Sequence, residues 1–195
     1  MSEEATRNGM PAGLISRRRL LQLGVLGAAQ LAIPGLASAG YFVRERSRSL
    51  KFYNLHTGES LHSVYWENGK YVNEELARIN YVLRDFRVNE VKAIDPALLD
   101  LLTVIQKRLD TSESFHVISG YRSPITNAML HARSEGVAVH SLHVDGRAID
   151  IRVPGRSLTN LRTAAMTIHR GGVGYYPRSE FVHVDTGRPR SWNGA

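Results

Sequence analysis

The chain has 195 residues, 43% of them hydrophobic and 22% charged, with a formal net charge of +7 and no cysteine. That length suits one domain plus a leader, and the composition is ordinary for a globular protein, which excludes a disordered or fibrous chain. Without cysteine there is no disulfide or thiolate chemistry, so a zinc site would need His, Asp or Glu, while the positive charge suggests a polyanionic partner without choosing among nucleic acid, membrane and cell wall.

Residues 1–39 have the layout of an export signal. Ser16 precedes Arg17, Arg18 and Arg19, leucines and an Ala/Gly/Leu-rich stretch follow as far as Pro34, and Ala37-Ser38-Ala39 makes a small-residue cleavage site. The serine with paired arginines resembles a twin-arginine signal, against the alternatives of a plain secretion signal or an uncleaved anchor. Gln22 and Gln30 interrupt a mildly apolar stretch, which disfavours a permanent membrane span. Losing four arginines and two glutamates with this segment takes the charge from +7 to +5. The expected location is the periplasm, where nucleic acid is scarce and cell-wall peptides carry carboxylates.

Residues 40–49 read as a basic linker. Alternation predicts strands near 50–56 and 61–66, followed by a turn at 67–70 that contains Asn68-Gly69. Leu76, Ile79, Leu83 and Phe86 recur at helical spacing, predicting a helix over 73–87 with Asn73 as N-cap. A second helix is expected over 95–110, capped by Asp95 with Pro96 in its first turn. A strand at 115–119, a helix at 123–136, a strand at 147–153 and a helix at 157–170 follow, the last capped by Ser157 or Thr159. The glycine-rich 171–177 is a strand or turn, and a final strand begins at Phe181. Strands and helices mix without a regular βαβ rhythm. The expected class is therefore α+β: a small antiparallel sheet carrying the functional site, flanked by helices.

Two of these strands carry chemistry on one face. Over 147–153, Ile149, Ile151 and Val153 share one side, and Ala148, Asp150 and Arg152 the other. His143 precedes this strand across a turn at Gly146. In the final strand, Val182 and Val184 oppose Phe181, His183 and Asp185. Side by side, the two strands could assemble a His–Asp–His cluster. Catalytic zinc commonly takes three such ligands and keeps a fourth position for water. The plainer alternatives are a solvated outer face for Asp150 and a satisfied core role for the histidines.

The string Ser-x-His-x-x-Gly-x-Ala-x-Asp stands at Ser141, His143, Gly146, Ala148 and Asp150. With SGYRS (119–123) before it and FVHVDTG (181–187) after it, the chain resembles the D-Ala-D-Ala metallopeptidase superfamily, which includes lysostaphin-type peptidases and the hedgehog domain. NLHTGE (54–59), GGVGYYPRS (171–179) and HVDTG (183–187) make it most similar to the YcbK-like murein endopeptidases, over roughly residues 50–192. The resemblance implies a Zn2+-dependent peptidoglycan endopeptidase that hydrolyses amide bonds in stem-peptide crosslinks. It implies the zinc ligands His143, Asp150 and His183, and places Arg122 near the substrate, where a planar guanidinium could hold a carboxylate or carbonyl. Many members carry an acid three residues before the last ligand, here Glu180. It must sit in the loop before the strand to reach the metal, since strand positions three apart face opposite sides. Asp185 is the rival, as base or as a partner that orients a ligand. His140 is read as a rim residue, and Trp192 as packing or lining the groove. A non-catalytic, zinc-bearing wall-binding domain is the alternative function. A basic nucleic-acid binder is disfavoured by the leader.

Overall fold

The computed structural model describes residues 46–134 and 136–194. The expected export signal lies outside them. In chain order the elements are β1 (Ser47–Asn54), β2 (Ser60–Glu67), β3 (Lys70–Tyr71), α1 (Asn73–Val82), α2 (Pro96–Arg108) and β4 (Phe115–Ser119). Then come α3 (Pro124–Arg133), β5 (Ala148–Arg152), α4 (Leu158–Met166), β6 (Gly172–Tyr176), β7 (Phe181–Asp185) and β8 (Arg190–Asn193). All the strands join one sheet in the order β3-β2-β1-β4-β5-β7-β6-β8.

The α+β class holds, but the sheet is not small. It has eight strands, and β1/β4 and β6/β8 pair parallel within an otherwise antiparallel array. Two elements account for the difference. β3, two residues at the end of the segment read as a turn, pairs with β2 at the sheet's edge, and the expected 50–56 strand, β1, starts earlier, at Ser47 inside the segment read as a linker, where its first residues pair with β2 and β4 joins only from Phe52. β8 is four residues, Arg-Ser-Trp-Asn, too short and too polar to give an alternating signal.

Local chemistry explains most boundaries. Asn68 and Gly69 both take left-handed backbone, with φ of 50° and 90°, closing the β2–β3 hairpin. Asp95 accepts from Ala97 N at 2.9 Å, Ser123 Oγ from Thr126 N at 3.2 Å and Ser157 Oγ from Asn160 N at 3.1 Å. Ser157, not Thr159, is thus the cap of α4. α1 differs from expectation at both ends. Its N-cap is Val72, which makes no side-chain bond, and Asn73 is the first helical residue. It stops at Val82, where the carbonyl accepts from Asn54 Nδ2 at 2.9 Å, and Phe86 instead stacks on His56 with ring centroids 4.4 Å apart.

One face of the sheet is the core. Phe52, Phe115, Val117, Ile149, Ile151, Val182 and Val184 are buried against Leu98, Leu102 and Ile105 of α2 and Leu161 and Ala165 of α4. Each fully buried side chain of this kind contributes about 1.5–3 kcal/mol, enough together to hold β5 and β7 in place although their other face carries charge. The register then decides what that charge meets. Ile149 pairs with Val184, Asp150 with His183 and Ile151 with Val182. A slip by one residue would turn the isoleucines outward and Asp150 into the core, so the apolar pattern fixes the polar alignment.

Candidate metal centre

His143, Asp150 and His183 converge. His143 Nε2 lies 3.2 Å from His183 Nδ1 and 3.3 Å from Asp150 Oδ1, and His183 Nδ1 lies 2.8 Å from the same oxygen. All are buried, with relative exposures of 2%, 6% and 9% for His143, Asp150 and His183. They form the cluster of potential metal ligands found among the described residues.

Each arrives by a different route. Asp150 and His183 stand opposite one another on β5 and β7. His143 comes from a tight loop in which Val144 N bonds Ser141 O at 2.9 Å and Arg147 N bonds Leu142 O at 2.9 Å. Gly146 ends that loop at φ +69°, and a Cβ there would run into the carbonyl of Ala93.

The outer ring nitrogens set the tautomers. His143 Nδ1 is 2.7 Å from the carbonyl oxygen of Gly120, which can only accept, so Nδ1 carries a proton. His183 Nε2 likewise donates to Asp185 Oδ2 at 3.0 Å. With both imidazoles neutral, the inner nitrogens and Asp150 Oδ1 are three lone-pair-bearing atoms aimed at one point. Tetrahedral ligands at about 2.0–2.2 Å from a metal sit roughly 3.3–3.6 Å from each other, so these separations need only a small expansion. Two imidazoles with one carboxylate suit zinc and its transition-metal neighbours, not Mg2+ or Ca2+, which take oxygen donors. The residues therefore fit such an ion.

The electrostatics agree. Burial alone would raise the Asp150 pKa, but His143 and His183 outweigh it and hold the carboxyl well below its ordinary range. Burial lowers the His143 pKa, which keeps that imidazole neutral. Burial would also lower that of His183, yet the flanking carboxylates of Asp150 and Asp185 overcome it and push the ring up to about 9. A proton and a cation thus compete for the His183 Nδ1 lone pair.

The other expected site residues occupy distinct positions. Arg122 is 7% exposed, and its Nη2 donates to Asp150 Oδ2 at 3.3 Å while Nε reaches Ser119 Oγ at 3.3 Å. It takes the second oxygen of Asp150 and leaves the first to the cluster. Asp185 shares the face of His183, but it is fully buried and engaged by His183, Arg190 and the backbone N–H groups of Gly172 and Gly187. Glu180 sits one residue before β7 with φ +54°, which lifts it out of the strand alternation. Its carboxylate accepts from Arg152 Nη1 at 3.1 Å. Arg152 shares Asp150's face of β5, so Glu180 reaches the cleft side of the sheet but is turned toward Arg152. Glu180 does not join the three-donor cluster.

A cleft of about 540 Å³ opens over the cluster, lined among others by Arg122, His140, Tyr176, Phe181, Arg190 and Trp192. Trp192 lies 5.2 Å from the His183 ring and donates Nε1–H to the Tyr176 hydroxyl at 2.9 Å, while Tyr176 stacks on Phe181 with centroids 4.4 Å apart. A Cβ at Gly174 would lie 2.7 Å from Trp192, so that glycine admits the indole. Sequence reasoning missed Gly120, whose contribution is a carbonyl, and Arg190, whose role depends on the unforeseen β8. NLHTGE is a turn: Asn54 Oδ1 accepts from His56 N at 2.9 Å and Thr57 N at 3.2 Å.

The family model described as peptidoglycan L,D-endopeptidase MepK matches residues 43–192. The peptidoglycan L,D-endopeptidase MepK of Escherichia coli (strain K12) is 48% identical over 179 residues, covering 91% of this chain and 97% of that protein. The Shigella flexneri protein of the same name gives the same figures. The probable peptidoglycan L,D-endopeptidase MepK of Haemophilus influenzae is 38% identical over 180 residues, covering 92% of this chain and 96% of its own. No solved structure matches significantly.

Proposed function

The chain belongs to the family of peptidoglycan L,D-endopeptidase MepK, and from that premise we propose that it cleaves amide bonds in peptidoglycan stem-peptide crosslinks using zinc held by His143, Asp150 and His183. It is a cell-wall endopeptidase, a metal-dependent peptidase by family. The single observation that carries the assignment of the metal is the convergence of three buried acceptor atoms whose own protons are committed elsewhere. A peptidoglycan substrate implies periplasmic action. Among the described residues no helix is long and apolar enough to cross a membrane. The twin-arginine route rests on Ser16 to Arg19 alone.

When bound, zinc would supply a Lewis acid for the scissile carbonyl and acidify water. The chain's own residues do the rest. Arg122 fixes the rotamer of Asp150 and lines the cleft, where a guanidinium suits a developing oxyanion or a peptide carboxylate. Tyr176, Phe181 and Trp192 wall one side and restrict water. Glu180 takes the proton of the attacking water and passes it to the leaving amine nitrogen. To do so it must leave Arg152, an exposed pair whose loss costs about 0–1 kcal/mol. Asp185 has no free lone pair facing the cleft and acts by orienting His183.

The test is His143→Ala and Asp150→Ala, assayed for bound metal, fold and release of muropeptides from purified sacculi. Both variants should remain folded, lose zinc and release nothing. Full activity in either removes the mechanism. A metal-loaded wild type that binds sacculi without releasing fragments would favour the non-catalytic wall-binding alternative.

A further inference from the structure

The two histidines of the cluster are held differently. His143 donates to a backbone carbonyl, whereas His183 donates to a carboxylate that is itself completely buried. A buried carboxylate needs a cation and well-aimed donors to stay in place. For Asp185 the cation comes from β8. Arg190 Nη2 donates to Oδ2 at 2.7 Å and Nη1 to Oδ1 at 3.1 Å, a two-pronged contact that fixes the carboxylate plane.

The surrounding chain is shaped for this pair. A Cβ on Gly172 would run into Arg190 Nη1 and lie 2.5 Å from Asp185 Oδ2. A Cβ on Gly187 would lie 3.0 Å from Asp185 Oδ1 and 3.2 Å from Arg190 Nη1. The same two glycines donate their backbone N–H groups to Asp185 Oδ1, each at 2.8 Å. Gly172 and Arg190 are register partners across the parallel β6/β8 pairing, so β8 delivers the guanidinium to its place. Arg190 also packs over Trp192, with Cζ 4.9 Å from the ring centroid.

We infer that Arg190 is a positioning residue for the metal ligand His183, acting through Asp185. Its fork holds the carboxylate so that Oδ2 accepts the His183 Nε2–H, and that bond keeps the Nδ1 lone pair aimed at the point shared with His143 and Asp150. The inference rests on the metal-site reading above. It assigns the end of the HVDTGRPR segment to ligand geometry, not to substrate binding or strand pairing alone.

The test compares Arg190→Met, which keeps bulk and removes the fork, with Arg190→Lys, which keeps only a point charge. Three quantities are measured: zinc affinity by chelator competition, the visible d–d spectrum of the Co2+-loaded protein, and kcat and KM on a soluble crosslinked muropeptide. Arg190→Met should weaken zinc binding roughly 10–100-fold and shift the cobalt bands, as loss of an orienting partner does. Arg190→Lys should fall between Met and wild type in both. Asp185→Asn combined with Arg190→Met should bind zinc no more weakly than Asp185→Asn alone, because both act along one path. Wild-type zinc affinity and cobalt spectrum in Arg190→Met overturn the proposal, and a raised KM alone would reassign Arg190 to the substrate. Should Arg190→Met fail to fold, Arg190→Lys decides: several-fold weaker zinc sustains the idea and wild-type affinity sinks it. Failure of the metal reading looks different, since wild type itself would then show no zinc binding in the competition.

Discussion

Two polar clusters lie in opposite halves of the sheet, and their bonding follows opposite rules. At the β1–β3 end, Asp100 of α2 accepts from Arg48 Nη1 at 2.7 Å, Tyr65 Oη at 2.9 Å and Tyr71 Oη at 2.8 Å. Each of these contacts joins a donor to an acceptor, so Asp100 is satisfied as it stands. Between β5 and β7, His143 Nε2, His183 Nδ1 and Asp150 Oδ1 face one another at 2.8–3.3 Å, and with both imidazoles neutral their N–H groups are spent on Gly120 and Asp185, leaving three acceptors. Such an arrangement is repulsive until a cation or a proton enters. A satisfied buried network therefore marks a brace, and a convergent set of spare lone pairs marks a binding site.

The sharpest break of that comparison pairs one substitution from each cluster. His143→Ala should abolish muropeptide release, whereas Asp100→Asn should leave it intact. Stability should divide the other way. Zinc at about one hundred times its Kd should stabilise wild type by about 2.7 kcal/mol and His143→Ala by none. Asp100→Asn sets an amide donor against tyrosine or arginine donors and should cost about 1–3 kcal/mol, equally with and without zinc. Denaturant melts of both variants, with and without metal, check the division. A zinc-dependent gain in His143→Ala would end it.

Next in size is Glu180→Gln. Loss of a positioned base costs about 10²–10⁴-fold in kcat, and here zinc affinity should not change, because Glu180 stands outside the cluster. Arg152→Ala frees the carboxylate at a cost of at most about 1 kcal/mol and should leave kcat unchanged or raise it. A kcat unaffected by Glu180→Gln would remove Glu180 from the reaction. Smaller again is Gly172→Ala. Its methyl group meets the Arg190–Asp185 pair, so it should destabilise by about 1–3 kcal/mol through overpacking and weaken zinc in the same sense as Arg190→Met.

How much of this was legible follows from how each signal is carried. The pairing of Asp150 with His183 could be read because period-two alternation puts each opposite an apolar face, and the apolar face fixes register. His143 could be read because Gly146 marks a turn just before β5. The support behind them could not. Gly120 contributes only a carbonyl, and any residue type supplies one. Arg190 needs β8, whose four residues carry no alternation. The helix predicted to Arg87 overran because Leu83 and Phe86 keep helical spacing beyond Val82; the spacing is satisfied instead by burial of Leu83 and by the stacking of Phe86 on His56. Glu180 could be placed before β7 in advance, but its turn toward Arg152 rests on a single left-handed residue that spacing does not encode.

The smallest expected effect concerns a third carboxylate, Asp85, which behaves like Asp100 though it stands beside the site. It is 1% exposed and accepts from Ser123 N at 2.9 Å and Arg87 N at 3.1 Å. Burial alone would raise its pKa, but bonds from Thr126 and from Ser123 and Arg87 prevail and hold it below the ordinary carboxylate value. A carboxylate lowered on folding contributes stability that is present above its unfolded pKa of about 4 and is lost as pH falls through the folded value. Ser123 caps α3 directly after Arg122, so protonating Asp85 loosens the shoulder that carries the arginine on Asp150. Asp85→Asn should therefore lower the melting temperature of the metal-free protein at pH 7 and flatten its decline between pH 5 and pH 3. Thermal melts across that range compare the two proteins directly. If the acid limb of the variant matches wild type, Asp85 is not a source of it, and the contrast between satisfied and convergent carboxylates would then rest on Asp100 and Asp150 alone.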